Sequence, residues 1–312
     1  MAQKVDEIIS GIIVNSLKDG IAPWRKPWIN VHGESLYLNA QGKPYSFLNS
    51  LLLMAQGKPA GEFYTFNKIT EKGGKVKKGS KSAYVTFYKP NIKEIIIPAE
   101  ESEDGKEHKI YKKSFVLRYY KVFSIHDCDG IEPKYTQTEN APISNLQPIE
   151  AAERILKAYI KGEGAPNFYN DGSDNATYNP ATDTICVPAL SQYKHAPDCY
   201  STWFHECIHS TGNKSRLNRF TENEKFGNVD YSREELVAEI GAAALNFICG
   251  IEESDSSYRN SIAYLQGWAS HLADKPNEFI VAAGRAEKAV NWVLGNRAQA
   301  QENKPSELTD VA

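Results

Sequence analysis

Two histidines and one glutamate stand at a spacing that suits metal-dependent hydrolysis. They are His205, Glu206 and His209, an HExxH pattern inside an apolar stretch that runs from about Tyr200 to Gly212. Residues four apart lie on one face of a helix, so both imidazoles can reach one ion. Glu206 then lies beside the open coordination position, where a carboxylate can accept a proton from an attacking water. The alternative is a pair of structural histidines, which the apolar neighbours and the helix-ending glycine disfavour.

A catalytic metal of this kind takes a third protein ligand, which is expected from a second helix. The segment that follows Ser232 begins with an N-cap residue and is rich in strong helix formers. Glu235 and Glu239 share one face of that helix with small residues. Glu235 is the first candidate for the third ligand, and Glu239 is either the alternative ligand or the acceptor that orients a ligand histidine. Glu234 is expected to point into solvent and to interact with the helix dipole.

The same chemistry needs a group that stabilises the oxyanion and a place for the substrate. The available electrophilic side chains are Tyr200, Tyr231, Tyr258 and His271. His271 and Asp274 are also reserve metal ligands. Residues 184–187 are predicted to form an edge strand beside the active-site helix, where an extended peptide can pair with it. The alternative interpretation is a plain sheet edge that ends at Pro188.

Lysines and aromatic residues form a second pattern, in the first half of the chain. Residues 66–90 hold seven lysines against a single acid, Glu71, and three glycines in this run indicate that the lysines lie on a turn between strands. Tyr84 and Tyr88 alternate along a predicted strand, and a second strand continues with basic and aromatic residues. Exposed aromatics beside a basic groove bind single-stranded nucleic acid, since bases stack while lysines neutralise phosphates. The alternative is a solvated lysine surface with half-buried tyrosines.

The elements that must position these groups fall into two dissimilar halves. The net charge of the 312 residues is −3, but the first 140 carry +5 and the remainder −8, so the halves are expected to meet different partners. A polar, proline-containing stretch predicts a boundary near residue 142. The predicted class is α+β, with an α+β domain over residues 1–141 and a mainly helical domain with a small sheet over residues 142–312.

Periodicity supplies the individual elements. In the first half, apolar spacing predicts a helix over residues 5–17 and strands at 63–67, 84–89, 93–97 and 115–125, with a hairpin tip at 100–108. In the second half, a helix at 149–160 and short strands at 176–179 and 184–187 precede further helices.

Composition excludes several classes of protein. With 41% hydrophobic and 24% charged residues the chain is neither disordered nor fibrous. No run approaches the roughly 18 apolar residues that a membrane span needs, and the first residues do not form a signal peptide. The five cysteines are scattered without a CxxC pair, which indicates reduced thiols. The expected localisation is the cytoplasm.

Residues 205–212, the run Arg216-Leu217-Asn218-Arg219 and residues 233–239 together resemble the zincin-type metallopeptidase domain of ArdC-type antirestriction proteins. Those proteins are carried by conjugative plasmids and related mobile elements. The resemblance implies that His205, His209 and, by a Glu-x-x-Ala pattern, Glu235 are metal ligands, with Glu206 as the catalytic glutamate. Glu239 fits the same pattern, so the resemblance leaves the third ligand open.

Four motifs in the first half, at residues 23–28, 45–49, 73–79 and 120–123, are similar to the ArdC N-terminal domain, which is also found at the start of some plasmid primases. This resemblance implies binding of single-stranded DNA. The candidate DNA-binding residues are basic or aromatic: Trp24, Arg25, Lys26, Lys72, Lys75, Lys77, Lys78, Lys81, Tyr84, Tyr88, Arg118 and Tyr120.

The function expected from both resemblances is antirestriction, in which a protein that binds single-stranded DNA and carries a metallopeptidase-like site protects incoming mobile-element DNA from host restriction. The expected cofactor is Zn²⁺, with Mn²⁺ or another divalent ion as the alternative, in a gluzincin-like zinc peptidase site. Two other hypotheses stay open: a metallopeptidase that is recruited to DNA and cleaves a host protein or peptide, and a non-enzymatic DNA-binding protein with a structural metal. No membrane partner is expected.

Overall fold

The computed structural model describes residues 4–25, 36–97, 108–134, 148–170, 174–220, 229–251, 266–297 and 300. Side chains are described for these residues except 25, 93–97, 108–114, 148 and 229–232. Helices and small sheets alternate along the chain, which confirms the predicted α+β class. No helix within the described ranges is both long enough and apolar enough to cross a membrane.

The first half combines three short helices with a four-stranded sheet. Its elements are α1 Val5–Lys18, a 3₁₀ turn at Pro23–Arg25, β1 Tyr37–Leu38, α2 Phe47–Ala55, β2 Gly61–Tyr64, α3 Phe66–Glu71, β3 Lys75–Val76, β4 Ala83–Ile97, β5 His108–Ser124 and β6 Cys128–Asp129. The sheet order is β1-β2-β5-β4, and β3 pairs separately with β6. The β4–β5 hairpin is antiparallel, with Ala83 opposite Val122.

Two strand predictions differ from the structure for local reasons. The runs at 84–89 and 93–97 are one strand, β4, because Pro90 is tolerated in a strand at the edge of a sheet. The run at 63–67 ends early, since Thr65 caps helix α3 by accepting a hydrogen bond from the backbone N–H of Lys68. The lysines that follow therefore lie on a helix end and a short strand as well as on turns.

The second half is mainly helical. Its elements are α4 Pro148–Ile160, β7 Asn167–Tyr169, β8 Thr177–Asn179, β9 Thr184–Cys186, α5 Ala196–Ser210, α6 Val229–Cys249, residues 266–274 of α7, and α8 Asn277–Val293. The small sheet has the order β7-β9-β8. The prediction of an edge strand at 184–187 is wrong, because β9 pairs with β7 on one side and with β8 on the other. The edge strand that packs beside α5 is β8.

One buried apolar cluster runs through both halves. Helices α1 and α2 pack against α8, and Trp24 of the 3₁₀ turn lies with its ring centroid 6.0 Å from that of Phe279 on α8. The predicted boundary near residue 142 falls outside the described residues, so the division into residues 1–141 and 142–312 stays a prediction.

Candidate metal centre and basic surface

Helix α5 places His205 and His209 one turn apart. It starts with Pro197 in its first turn, and its apolar side, which includes Phe204 and Ile208, is fully buried. Gly241 of α6 faces Ile208 so closely that a Cβ atom at Gly241 would lie 2.8 Å from the Ile208 Cδ1 atom. This absence of a side chain lets α5 and α6 approach, and it brings the carboxylates of α6 to the histidines of α5.

Three side chains converge between the two helices. The Nε2 atoms of His205 and His209 are 3.1 Å apart. Each carboxylate oxygen of Glu235 lies close to one histidine, with Oε2 3.4 Å from His205 Nε2 and Oε1 3.3 Å from His209 Nε2. Within the part of the chain that is described, these three residues form the group that could hold a metal ion, with all donor atoms within 4.8 Å of one another. Two imidazole nitrogens and one carboxylate oxygen suit Zn²⁺ or Mn²⁺, so the donor set fits such an ion.

The neighbouring glutamates of α6 face the outer sides of the histidine rings. Glu239 Oε1 lies 3.9 Å from His205 Nδ1, and Glu234 Oε1 lies 3.5 Å from His209 Nδ1. Glu239 thus stands on the opposite side of the ring from Glu235, which is the position of an orienting acceptor. The expectation that Glu234 points into solvent is wrong, since Glu234 is 5% exposed and forms an ion pair with Arg219. The pairing of Glu234 with Arg219 cannot be read from the sequence, which therefore favours a solvent-exposed position for Glu234.

Glu206 lies on α5 between the two histidines and is 7% exposed. Burial raises the pKa of its carboxyl group above the ordinary value, while the neighbouring histidines act in the opposite direction. The backbone N–H of Tyr178 in strand β8 donates a hydrogen bond to this carboxylate. A fixed carboxylate with a raised pKa is suited to accept a proton from an attacking water.

Two of the four oxyanion candidates have other partners in the described structure. The Tyr200 hydroxyl donates to Glu153 at 2.8 Å, and His271 pairs with Glu278. Tyr231 and Tyr258 have side chains outside the described set, and Asp274 is exposed on α7 away from the three converging residues. Tyr193, which the sequence does not indicate as an oxyanion candidate, carries a further hydroxyl group near Glu206.

Tyr193 shares a side-chain hydrogen bond with Thr202, one helical turn before Glu206. Burial raises the pKa of Tyr193, and the negative charge of Glu206 adds to that rise. The sequence signal that could have found Tyr193 is its place three residues before the start of α5.

The basic surface lies around the β3–β6 pair. Lys75, Lys77, Lys78 and Lys81 are exposed, whereas Lys72 at the end of α3 is half-buried. The Lys77 Nζ atom donates to the backbone carbonyl of His126 at 3.0 Å. The prediction of a simple turn between strands is therefore wrong for part of residues 66–90, because Lys68 lies in α3 and Lys75 lies in β3.

Several aromatic candidates are less accessible than predicted. Trp24 is 1% exposed and packs on Phe279, so its prediction as a DNA-binding residue is wrong. Tyr120 is half-buried and shares a hydrogen bond with Tyr45. The Arg25 side chain and Lys26 lie outside the described residues.

One accessible aromatic surface lies on the outer face of the β4–β5 hairpin. Tyr119, which was missed, is 40% exposed, and its ring centroid lies 5.3 Å from that of the half-buried Tyr84. Lys121 lies over the Tyr84 ring at 5.4 Å. Arg118 is exposed and Tyr88 is half-buried on the same hairpin. Tyr119 lies on the same face as Tyr84 because it pairs with Thr86 across the strands, and this register cannot be read from the sequence.

Comparisons with known proteins match both halves of the chain. Residues 3–123 match the family of the N-terminal domain of the anti-restriction factor ArdC, and residues 154–285 match the zincin-like metallopeptidase family. Two solved structures of the antirestriction ArdC protein from the R388 plasmid are similar throughout. The metal-free one has a TM-score of 0.64 and 28% identity over 96% of this chain and 100% of that chain. The Mn(II)-bound one has a TM-score of 0.67 and 26% identity over 97% and 100%.

Curated relatives include longer proteins. A DNA primase TraC of Escherichia coli is 33% identical over 95% of this chain, and a second is 30% identical over 98%. This chain spans only 20% and 28% of their respective lengths. The protein y4eC of Sinorhizobium fredii is 26% identical over 96% of this chain and 94% of its own length.

Proposed function

This chain is an ArdC-type protein, and we propose that it is an antirestriction protein that binds single-stranded DNA and carries a divalent-metal site of the peptidase type. The observation that carries the proposal is the convergence of His205, His209 and Glu235 beside the buried carboxylate of Glu206. The proposed site of action is the cytoplasm, where incoming mobile-element DNA meets host restriction enzymes.

In the proposed site, His205, His209 and Glu235 hold the ion, and Glu239 orients His205. A bound Zn²⁺ or Mn²⁺ would polarise the substrate carbonyl. Glu206 accepts a proton from the attacking water, and its hydrogen bond from the Tyr178 N–H keeps the carboxylate in place. A glutamate as third ligand from a second helix makes the site gluzincin-like.

Peptide cleavage is favoured over a purely structural metal by one specific relationship. A structural ion needs no buried acid beside it, whereas Glu206 is buried and attached to the edge strand β8. The outer side of β8 is where an extended peptide can add as a further strand next to Glu206. The proposed substrate is therefore an extended segment of a host protein, and the DNA-binding half recruits the enzyme to DNA.

Single-stranded DNA is the proposed partner of the first half. The exposed Lys75, Lys77, Lys78 and Lys81 supply charge for phosphates, and Tyr119 with Tyr84 supplies ring surface for bases. Arg118 adds positive charge on the other face of β5, since it lies opposite Phe87 while Tyr119 lies opposite Thr86. The net charge of +5 over the first 140 residues supports the same partner.

A restriction-protection assay tests the proposal in cells that carry a restriction enzyme. Unmethylated DNA enters with wild type, with Glu206→Gln, or with Lys75, Lys77 and Lys78 all changed to Glu. Protection is expected to be lost in both variants. A matched triple reversal at Lys161, Lys194 and Lys214, which are exposed in the second half, is expected to retain protection. Full protection by Glu206→Gln would contradict the peptidase part, and full protection by the first lysine variant would contradict the DNA-binding part.

A further inference from the structure

A buried arginine from the loop after α5 connects three parts of the proposed metal site. Arg219 is 6% exposed, and its guanidinium holds Glu234 in a two-point ion pair, with Nε 3.2 Å from Oε2 and Nη2 2.6 Å from Oε1. The same guanidinium donates to the end of α5, through Nη2 to the carbonyl of Ile208 at 2.8 Å and through Nη1 to Thr211 Oγ1 at 2.6 Å. All three of its nitrogens are thus used inside the protein.

The carboxylate that Arg219 holds is also the one that faces His209. Glu234 Oε1 lies 3.5 Å from His209 Nδ1, while the opposite nitrogen of the ring, Nε2, lies 3.3 Å from Glu235 Oε1. A carboxylate at Nδ1 keeps the proton of a neutral imidazole on that nitrogen and leaves the lone pair of Nε2 for an ion. An isolated buried carboxylate would be unstable, and the paired guanidinium offsets that cost.

We propose that Arg219 is a positioning residue for the metal site: through Glu234 it fixes the orientation and tautomer of His209. This inference rests on the proposed function, since it requires that His209 is a metal ligand. The planar fork of arginine matches both carboxylate oxygens and the Ile208 carbonyl at once, and a lysine ammonium has no such fixed geometry.

A purely structural role for Arg219 is the competing explanation, because its bonds to Ile208 and Thr211 also fasten the loop to the end of α5. The two roles differ in their dependence on Glu234. A structural tie to the helix end works with or without that carboxylate. A positioning role that acts through Glu234 disappears once Glu234 no longer carries charge.

Arg216 provides the matched control. It lies three residues earlier on the same loop, is also buried, and donates to the Ser210 and Gly164 carbonyls, to Asp183 and to the Tyr178 hydroxyl. None of these contacts involves Glu234 or Glu235. Arg216→Lys therefore reports what the loss of a buried guanidinium does to this loop without disturbing Glu234.

The experiment is a double-mutant cycle read by Co(II) and Mn(II) binding to the full chain. Affinities are measured by titration for wild type, Arg219→Lys, Glu234→Gln, the double variant and Arg216→Lys, with the visible spectrum of the Co(II) form and the unfolding midpoint of the metal-free protein. Arg219→Lys and Glu234→Gln are each expected to weaken binding about 10- to 100-fold and to change the Co(II) spectrum. The double variant is expected to resemble Glu234→Gln, and Arg216→Lys is expected to bind like wild type.

Independent effects, in which the double variant loses the product of both single losses, would overturn the proposal, as would wild-type affinity in Glu234→Gln. If Arg219→Lys does not fold, the nearly isosteric Glu234→Gln alone decides between weakened and unchanged binding. A wild type that binds neither ion would overturn the metal site itself together with this inference, whereas a wild type that binds metal and shows no coupling overturns only the role of Arg219.

Discussion

The backbone N–H of Tyr178 donates a hydrogen bond to the carboxylate of Glu206, so the edge strand β8 and the general base of the proposed site are directly joined. Tyr178 is itself fixed, because its hydroxyl donates to Asp183 at 2.8 Å and its ring stacks on Phe220. The position of Glu206 therefore depends on the small sheet as well as on helix α5.

Divalent metal is expected to stabilise the folded chain. Binding to the folded state alone contributes about 2.7 kcal/mol when the free metal is 100 times the dissociation constant. Thermal unfolding with and without Zn²⁺ or Mn²⁺ measures this, and His205→Ala should abolish the rise. His195→Ala, at an exposed histidine before α5, should keep it. If metal raised the unfolding temperature of His205→Ala as much as that of wild type, the ion would bind at another site.

The close approach of α5 and α6 predicts that Gly241 tolerates no side chain. Gly241→Ala sets a methyl group against the fully buried Ile208 and should cost about 1–3 kcal/mol of unfolding free energy, with weaker metal binding. Gly284→Ala on α8 is the control, because nothing lies within 4 Å of its added Cβ and the substitution should be neutral or stabilising by up to about 1 kcal/mol. Urea unfolding compares the two, and equal stabilities would show that the helices can separate without loss.

The free energy of unfolding is expected to decrease as the pH rises from mildly acidic to mildly alkaline, because of Glu287. Its Oε2 accepts a hydrogen bond from the backbone N–H of Phe47, at the start of α2, at 3.3 Å. Burial raises the pKa of Glu287 from 4.5 to about 7, against smaller opposing effects of that bond and of Lys288. Because the folded-state pKa lies above the unfolded one, the stabilisation is complete below about pH 4.5 and is lost as the pH rises through 7.

Glu287→Gln keeps an acceptor for Phe47 and removes the titration. Relative to wild type it should gain up to roughly 3 kcal/mol at pH 8 and little at pH 5. Chemical unfolding at the two pH values checks this, with the exposed Glu163→Gln as control. A pH dependence that is unchanged in the Glu287 variant would show that this carboxyl group does not carry it.

The exposed tyrosine of the hairpin is expected to contribute to DNA binding. Tyr119→Ala should weaken single-stranded DNA binding by about 1–3 kcal/mol, since an aromatic ring that stacks on a base contributes that much. Tyr169→Ala, at a tyrosine that is 51% exposed on β7, should leave affinity unchanged. Fluorescence titration with an oligonucleotide measures both affinities. Equal affinities for the two variants would show that DNA does not bind at Tyr119 on β5.

Local patterns in the sequence were sufficient for α5 and for the shared face of its two histidines, since helical spacing alone fixes both. The choice between Glu235 and Glu239 required the distance between α5 and α6, which Gly241 and Ile208 set by tertiary packing.

Other errors arose from distant partners. The burial of Trp24 could not be predicted, because Phe279, which covers it, is more than 250 residues away in the chain. Strand β9 looked like an edge because the three-residue β7 gave no strong strand signal.

Titration of metal into wild type, Glu235→Gln and Glu239→Gln distinguishes the third ligand of the proposed site from its neighbour. We expect one Zn²⁺ or Mn²⁺ per wild-type chain, no measurable site in Glu235→Gln, and a site weakened about 10- to 100-fold in Glu239→Gln, where only an orienting acceptor is changed. No binding by wild type, or undiminished binding by Glu235→Gln, would contradict the proposed site.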